Sequence, residues 1–152
     1  MYMTVPEAPG SVAIAGREET IELIQLDHLV HLPVDIHTGR SSGVRQHGIM
    51  AVRAALDAAT PNMYKAVTEG SQFPEVTINF YRIDDLGVEE NYYTMILSRV
   101  RVTSIEIVVP NVKDISNEHL PHMVVYGLVY GALEETFVPT KIMHKDDWLA
   151  TR

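Results

Sequence analysis

The residues best placed for catalysis form a Gly-x-Ser-x-Gly pattern at Gly39–Gly43. In serine hydrolases this pattern raises a serine on a tight turn between a strand and a helix, above a parallel sheet. Here Ser41 is followed by Val44–Gly48 and then by a strand-like segment, and strands do not alternate with helices along the chain. Because the context that the nucleophile requires is missing, the pattern indicates a loop rich in glycine and serine.

Histidine and aspartate side chains are the next candidates, as metal ligands. The chain has seven histidines, of which His28, His31 and His37 lie near Asp27 and Asp35. Residues three apart on a strand point to opposite faces, so His28 and His31 do not converge on one ion. The helical H-E-x-x-H pattern of zinc enzymes is absent as well. We therefore expect neither a metal site nor a cofactor.

Adjacent acidic residues offer a third chemistry, the acid and base of a glycosidase. Neighbouring carboxylates on a strand or turn point apart, and such pairs more often keep a surface hydrated. The pairs are Glu18-Glu19, Asp84-Asp85, Glu89-Glu90, Glu134-Glu135 and Asp146-Asp147. We expect no enzyme. The alternative is a small β-sandwich that binds or hydrolyses a ligand with aspartate and histidine residues around the loop.

Composition describes one globular domain over residues 1–152, with 46% hydrophobic and 21% charged residues. The net charge of -8 disfavours nucleic acid or an anionic membrane as a partner. The N-terminal segment Met1–Glu7 does not resemble a signal peptide, and apolar runs such as Met123–Tyr130 are too short to span a bilayer. We expect a protein made in the cytoplasm that does not insert into membranes. Any export would then need no cleaved signal.

Short alternating segments rich in β-branched residues predict a mostly β fold. We expect two packed antiparallel sheets that close toward a β-barrel, with one short α-helix and a long protruding loop. In Val100–Val109 the alternation inverts, which predicts a bulge near Thr103-Ser104. The turn Asp84–Gly87 predicts a hairpin. Thr20–Leu32 is predicted as one long strand or as two strands joined by a bend. The other predicted strands are Gly48–Leu56, Val76–Phe80, Asn91–Ser98, His122–Leu133 and Thr136–Met143.

The helix is predicted between Thr60 and Gly70. Thr60 is suited to the N-cap, where its loss would cost about 1 kcal/mol, and Pro61 is suited to the first helical position. Gly70 is suited to the position just after the helix, where a positive φ is needed.

Two features indicate contacts beyond one chain. Met123–Tyr130 is apolar on both faces, so its outer face meets either the helix and the loop or another chain. Leu32–Gly48 is longer than most loops in compact domains, and its apolar and basic residues would suit docking onto a neighbour. We expect replacement of Arg40 and Arg45 by glutamate to weaken assembly and leave a folded domain.

Several segments resemble the motifs of one family, the haemolysin-coregulated proteins (Hcp) of bacterial type VI secretion systems. Gly39–His47 resembles the family's S-G-x-R-x-H loop, and Leu56–Val67 is similar to the segment around its A-S-P-x-L-Y helix. Phe73–Arg82 is similar to the L-P-x-V-x-x-x-W-Y-R strand. Val109–Asn111 and Lys145–Trp148 match a proline turn and a near-terminal D-D-W.

The resemblance implies a barrel subunit of hexameric rings that stack into the inner tube of the secretion machine. The tube would be sheathed, expelled with its spike and shed outside the cell, and its lumen would carry effector proteins. A tail-tube protein of another contractile injection system is the related alternative. We assign the contacts between subunits or rings to the loop residues Val34, Asp35, Ile36, Arg40, Ser42, Gly43, Arg45 and His47.

Overall fold

A computed structural model describes residues 1–148 of the chain. In this part, strands dominate and one α-helix joins the fifth and sixth of them. The elements are β1 (Tyr2–Thr4), β2 (Ile21–Asp27), β3 (Val30–His31), β4 (Gln46–His47), β5 (Met50–Ala55), α1 (Thr60–Glu69), β6 (Gln72–Ile83), β7 (Glu89–Val108), a 3-10 turn (Ile115–Asn117), β8 (Met123–Val129), β9 (Ala132–Phe137) and β10 (Ile142–Asp147).

Six antiparallel strands close into a barrel in the order β7, β6, β1, β2, β5 and β8. The 20-residue strand β7 makes closure possible, because it pairs with β6 over its first part and with β8 over its second. Strands β9 and β10 extend the sheet sideways from the first part of β7. Side chains such as Met3, Ile21 and Ile78 fill the interior. The predicted fold class is confirmed.

The bulge in β7 lies where the inverted alternation predicts it. Val102 pairs with Leu128, whereas the next pair joins Ser104 to Gly127, so Thr103 is the extra residue. Its hydroxyl donates to the carbonyl oxygen of Gly127 at 3.1 Å. The bulge therefore turns the second part of β7 so that it can close the barrel against β8.

The apolar strand β8 is covered mostly by its own chain. Val124, Tyr126 and Leu128 point into the core, each with no exposed surface. On the outer face Met123 is 4% exposed, and a Cβ on Gly127 would lie 3.3 Å from a side-chain carbon of Ile49. Val125 and Val129 on the same face remain partly exposed, so the chain itself covers this face only in part.

The ends of two predicted strands differ from the structure. Tyr130 and Gly131 separate β8 from β9, and a turn at residues 138–141 separates β9 from β10. The predicted strands His122–Leu133 and Thr136–Met143 are therefore divided differently, into β8, β9 and β10. Strands β8 and β9 both pair with the same edge of β7.

Helix α1 begins differently from the prediction. Ala59 is the residue before the helix and Thr60 is the first helical residue. Within residues 1–148, no side chain caps the start of the helix. The carboxylate of Asp57 accepts from the backbone N–H of Ala59 at 3.0 Å. The prediction of Thr60 as N-cap is wrong because its hydroxyl is turned toward the core, 3.1 Å from the hydroxyl of Tyr126.

Pro61 and Gly70 lie at the start and at the end of the helix. Pro61 lies in the first turn of α1, where a missing N–H leaves no acceptor unpaired. Gly70 ends the helix with a φ of 66°, and its N–H donates to the carbonyls of Ala66 and Val67. Met63 and Ala66 bury the inner side of the helix against the barrel.

We expect Thr60→Ala to lower the free energy of unfolding by about 2 kcal/mol, because it leaves the buried hydroxyl of Tyr126 without a partner. Burial already raises the pKa of Tyr126 to about 12. Urea denaturation measures the change. Thr68→Ala is the matched control, since the hydroxyl of this exposed threonine donates to the carbonyl of Lys65 in its own helix and its loss should change stability by less than about 0.5 kcal/mol. Equal midpoints for the two variants would contradict the assignment.

Candidate assembly surface

The long segment predicted as a loop is a two-stranded β arm, which we define as residues 30–47. Strand β3 pairs with β4 at its base, Val34 bridges to Ser41 further out, and the N–H of Asp35 donates to the carbonyl of Arg40 at 2.8 Å. The N–H of Gly48 donates to the carbonyl of Leu29 at 2.8 Å, so the arm continues the β2–β5 hairpin. The arm therefore projects from one end of the barrel.

The tip of the arm is shaped by local hydrogen bonds. The carboxylate of Asp35 accepts from the N–H groups of His37 and Thr38 at 2.8 and 3.3 Å. The bond from His37 holds the pKa of Asp35 below its usual value. Gly39 closes the tip with a φ of 68°. Asp35 thus stabilises the turn at the tip through hydrogen bonds within the arm itself.

The structure of this segment does not match a serine nucleophile. Ser41 lies within the β arm and not on a turn between a strand and a helix, and its hydroxyl donates to the carbonyl of Gly43 at 2.9 Å. The N–H of Ser42 donates to the carbonyl of Pro33 at 2.9 Å. Ser42 therefore bonds across the arm, and Gly43 lies in a bend beside the ring of Pro33.

The arm exposes apolar side chains to water. Val34 is 53% exposed, Ile36 86% and Val44 73%. Arg40 forms no ion pair with any residue between 1 and 148. An isolated two-stranded hairpin is only marginally stable in water, so this arm needs support from contacts outside its own two strands.

The base of the arm is held by a polar cluster that we call the clasp, formed by Arg45, His47, Tyr130 and Asp146. The guanidinium of Arg45 donates through Nε and Nη2 to the two carboxylate oxygens of Asp146. The Nε2 atom of His47 lies 2.9 Å from the same carboxylate, and the His47 side chain is 4% exposed. The clasp therefore joins the arm to β10, about 100 residues away.

Tyr130 completes the clasp between two histidines. Its hydroxyl lies 2.8 Å from Nδ1 of His47 and 2.6 Å from Nε2 of His28. A neutral His47 that donates from Nε2 to Asp146 has Nδ1 free to accept from Tyr130, whose oxygen then accepts from His28. One arrangement of protons thus gives every contact along the chain His28, Tyr130, His47 and Asp146 one donor and one acceptor.

Trp148 covers the clasp. Its ring stacks on that of His47 with centroids 5.7 Å apart and an angle of 13°, and its indole N–H donates to the carbonyl of Tyr130 at 2.6 Å. Beside it, Arg99 pairs with Asp147 at 2.7 Å. The predicted R-x-H and D-D-W motifs are therefore two halves of one contact.

The surroundings fix the charges of the clasp. The bonds from Arg45 hold the pKa of Asp146 below its usual value, so the carboxylate stays ionised at neutral pH. Burial lowers the pKa of His28, despite the opposing charge of Glu135. Burial also raises the pKa of Tyr130. At neutral pH the clasp therefore contains an ionised carboxylate–guanidinium pair between Asp146 and Arg45.

Arg45 and His47 thus face their own chain, whereas we assigned them to contacts between subunits. In the variant with Arg40 and Arg45 both replaced by glutamate, the change at Arg45 would place two carboxylates together at the clasp, so we expect it to loosen the base of the arm as well as to weaken assembly. His28, Tyr130, Asp146 and Trp148 were not identified as site residues. The two motifs were the available signal, but more than 90 residues separate them in sequence.

The histidine and acidic residues do not form a metal centre. Between residues 1 and 148 there is no group of three histidine or acidic residues arranged to hold a metal ion. In the same range, no helix has the length and apolar character needed to cross a bilayer.

Comparison with known proteins gives consistent matches. A family model described as "Type VI secretion system effector, Hcp" matches residues 2–136. The major exported protein of Pseudomonas aeruginosa is 27% identical over 142 residues, which cover 93% of this chain and 83% of that protein.

Solved structures are similar over nearly the whole chain. Hcp1 from the E. coli EAEC 042 pathovar has a TM-score of 0.82 and 27% identity, covering 97% of this chain and 95% of that one. The secreted protein Hcp3 from Pseudomonas aeruginosa shares the fold, with a TM-score of 0.78 and 20% identity over 97% of this chain and 98% of that one.

Proposed function

Because the chain belongs to the Hcp family of type VI secretion systems, we propose that six copies close into a ring and that such rings stack into the secretion tube. The protein is a secreted structural subunit of that tube and not an enzyme. Each ring would place copies side by side by heterologous contacts, and head-to-tail stacking would extend the rings into a tube.

The observation that carries this proposal is the arm, a projecting hairpin whose apolar tip is uncovered in the single chain. Strand β10 supports it as a second uncovered surface. Among residues 1–148, β10 pairs only with β9, and Ile142 and Met143 on it are 70% and 60% exposed. An open strand edge with exposed apolar residues favours association. The arm and the edge of β10 are two separate surfaces, as needed by an assembly that contacts neighbours both around a ring and between rings.

The proposed partners follow from the place of such a tube in the secretion machine. The barrel domain would wait in the bacterial cytoplasm as part of a sheathed tube. Contraction of the sheath expels the tube with its spike, and effector proteins travel in the lumen of the rings.

Electron micrographs of the purified protein test the proposal. We expect end-on views of six-membered rings with a central hole, together with short stacks of rings in side view. Separate globular particles of single-chain size, at every concentration examined, would contradict it.

A further inference from the structure

Two histidine rings share one hydroxyl group at the base of the arm. The hydroxyl oxygen of Tyr130 lies 2.6 Å from Nε2 of His28 and 2.8 Å from Nδ1 of His47. Tyr130 is 3% exposed, the side chain of His47 is 4% exposed, and His28 is half-buried. Water has little access to this hydroxyl, so each hydrogen that points at it needs an acceptor among the surrounding side chains.

The three contacts that run from His28 through Tyr130 and His47 to Asp146 accommodate one added proton. If His28 takes the proton on Nδ1, the hydrogen in each contact stays where it was. If His47 takes it, the ring donates to both Asp146 and Tyr130, and the hydroxyl of Tyr130 donates to a neutral His28. Either way, each contact keeps one donor and one acceptor.

A second added proton does not fit these contacts. The rings of His28 and His47 would then both direct an N–H at the oxygen of Tyr130, and the hydroxyl hydrogen would have no acceptor along the three contacts. Two positively charged rings would also lie with their centroids 6.5 Å apart, which disfavours both charges. The closed arrangement therefore requires that at least one of the two rings is neutral.

The surrounding charges do not remove this conflict. Glu135 of β9 favours a proton on His28, but burial has the larger effect and keeps the pKa of His28 below its usual value. Asp146 of β10 faces His47, but it also accepts from Arg45 of the arm. The charged and titratable groups that line the cleft beside His47 are Arg45, Glu135, His144 and Asp146.

We propose that His28 and His47 form an acid-sensitive latch, which holds the base of the arm on β10 while one ring is neutral and releases it when both are protonated. The latch lies within a single chain, so this inference goes beyond the proposed tube and does not require rings to form. The arm is also one of the two surfaces proposed for assembly. Acidic surroundings would therefore loosen the contacts that the arm makes with other copies.

The latch opens as the pH falls because the open form binds more protons. In the open form His28 has the ordinary histidine pKa of about 6.5, whereas burial keeps its pKa lower in the closed form. Closure is therefore complete above about pH 6.5 and weakens below it, by about tenfold per pH unit for each extra proton that opening takes up. Asp146 stays ionised in this range, because the bonds from Arg45 hold its pKa below the usual 3.8.

Amide hydrogen exchange of the arm in the natural protein tests the latch. Protection factors remove the direct effect of pH on the exchange chemistry, and the protein concentration is one at which sedimentation gives the same mass at both pH values. We expect protection of the arm to be about tenfold lower at pH 5.0 than at pH 7.5, with protection of β6 unchanged. Equal protection of the arm at the two pH values would overturn the latch.

His28→Gln separates the titration of His28 from its structural role. Glutamine still offers a donor and an acceptor to Tyr130, but it takes up no proton near pH 5. We expect the arm of this variant to keep at pH 5.0 the protection that it has at pH 7.5. His37→Gln, which removes an exposed histidine at the arm tip, is the matched control and should open in acid like the natural protein. Acid opening of the His28→Gln arm to the natural extent would overturn the role of His28.

Nuclear magnetic resonance of the histidine rings in the natural protein covers the case in which His28→Gln does not fold or its arm is already open at pH 7.5. The ring signals of His28 and His47 are followed over the same pH range as the exchange. We expect at most one protonated ring while the arm is protected, and two once protection is lost. Two protonated rings in a protected arm, or an open arm with a ring still neutral, would overturn the latch.

Discussion

Asp146→Asn is expected to release the base of the arm and to stop tube formation. Asp146 accepts from both Arg45 and His47, and the substitution removes the charge that orders these donors. Hydrogen bonds to charged groups contribute about 1.5–3 kcal/mol each, and partial exposure of the pair reduces this, so we expect a loss of about 2 kcal/mol. Opening of the arm, measured by amide hydrogen exchange, should increase about thirtyfold.

Asp85→Asn is the matched control for this variant. Asp85 lies in the exposed turn of the β6–β7 hairpin and forms no hydrogen bond or ion pair within the described chain. In the Asp85→Asn variant we expect the amide hydrogens of the arm to exchange at the rate of the natural protein and the rings to stack normally. If the amide hydrogens of the arm exchanged at the natural rate in the Asp146→Asn variant, the clasp would not be what holds the arm.

Ile36→Asp is expected to leave rings intact and to eliminate their stacking. The side chain is 86% exposed in the single chain, so its replacement costs the fold little. Burial of an isoleucine contributes about 2 kcal/mol, and burial of a carboxylate in an apolar contact between rings is itself unfavourable. The loss recurs at each contact around the ring, so stacks should disappear from micrographs at concentrations where the natural protein forms them.

Leu86→Asp is the matched control that separates an effect of the arm from an effect of added surface charge. Leu86 is 88% exposed at the tip of the β6–β7 hairpin, so the two changes match in exposure and chemistry. We expect its rings to stack as usual. Loss of stacks in both variants would assign the effect to a general change of surface charge, and stacks in both would exclude the arm tip from the contact.

Local patterns in the sequence were sufficient for much of the barrel. The bulge at Thr103 was predictable because one extra residue inverts side-chain alternation within a few positions. The hairpin turn ending at Gly87 was predictable for a similar reason, since its φ of 81° favours glycine. Both features depend on residues that are close together in the chain.

Features that depend on distant residues were not predictable in this way. Thr60 has the residue type of an N-cap, but the buried hydroxyl of Tyr126 decides where its side chain points. The clasp requires that the arm and β10 meet, and sequence motifs alone do not state this. The arm lacked a strand pattern because much of it is exposed on both faces, and alternation arises only where one face is buried.

The mass of the purified protein in solution, measured by sedimentation over a range of concentrations, tests the central claim most directly. The account predicts a species six times the 17.0 kDa mass of one chain, with heavier stacks appearing as concentration rises. A single species of 17.0 kDa at every concentration would contradict it.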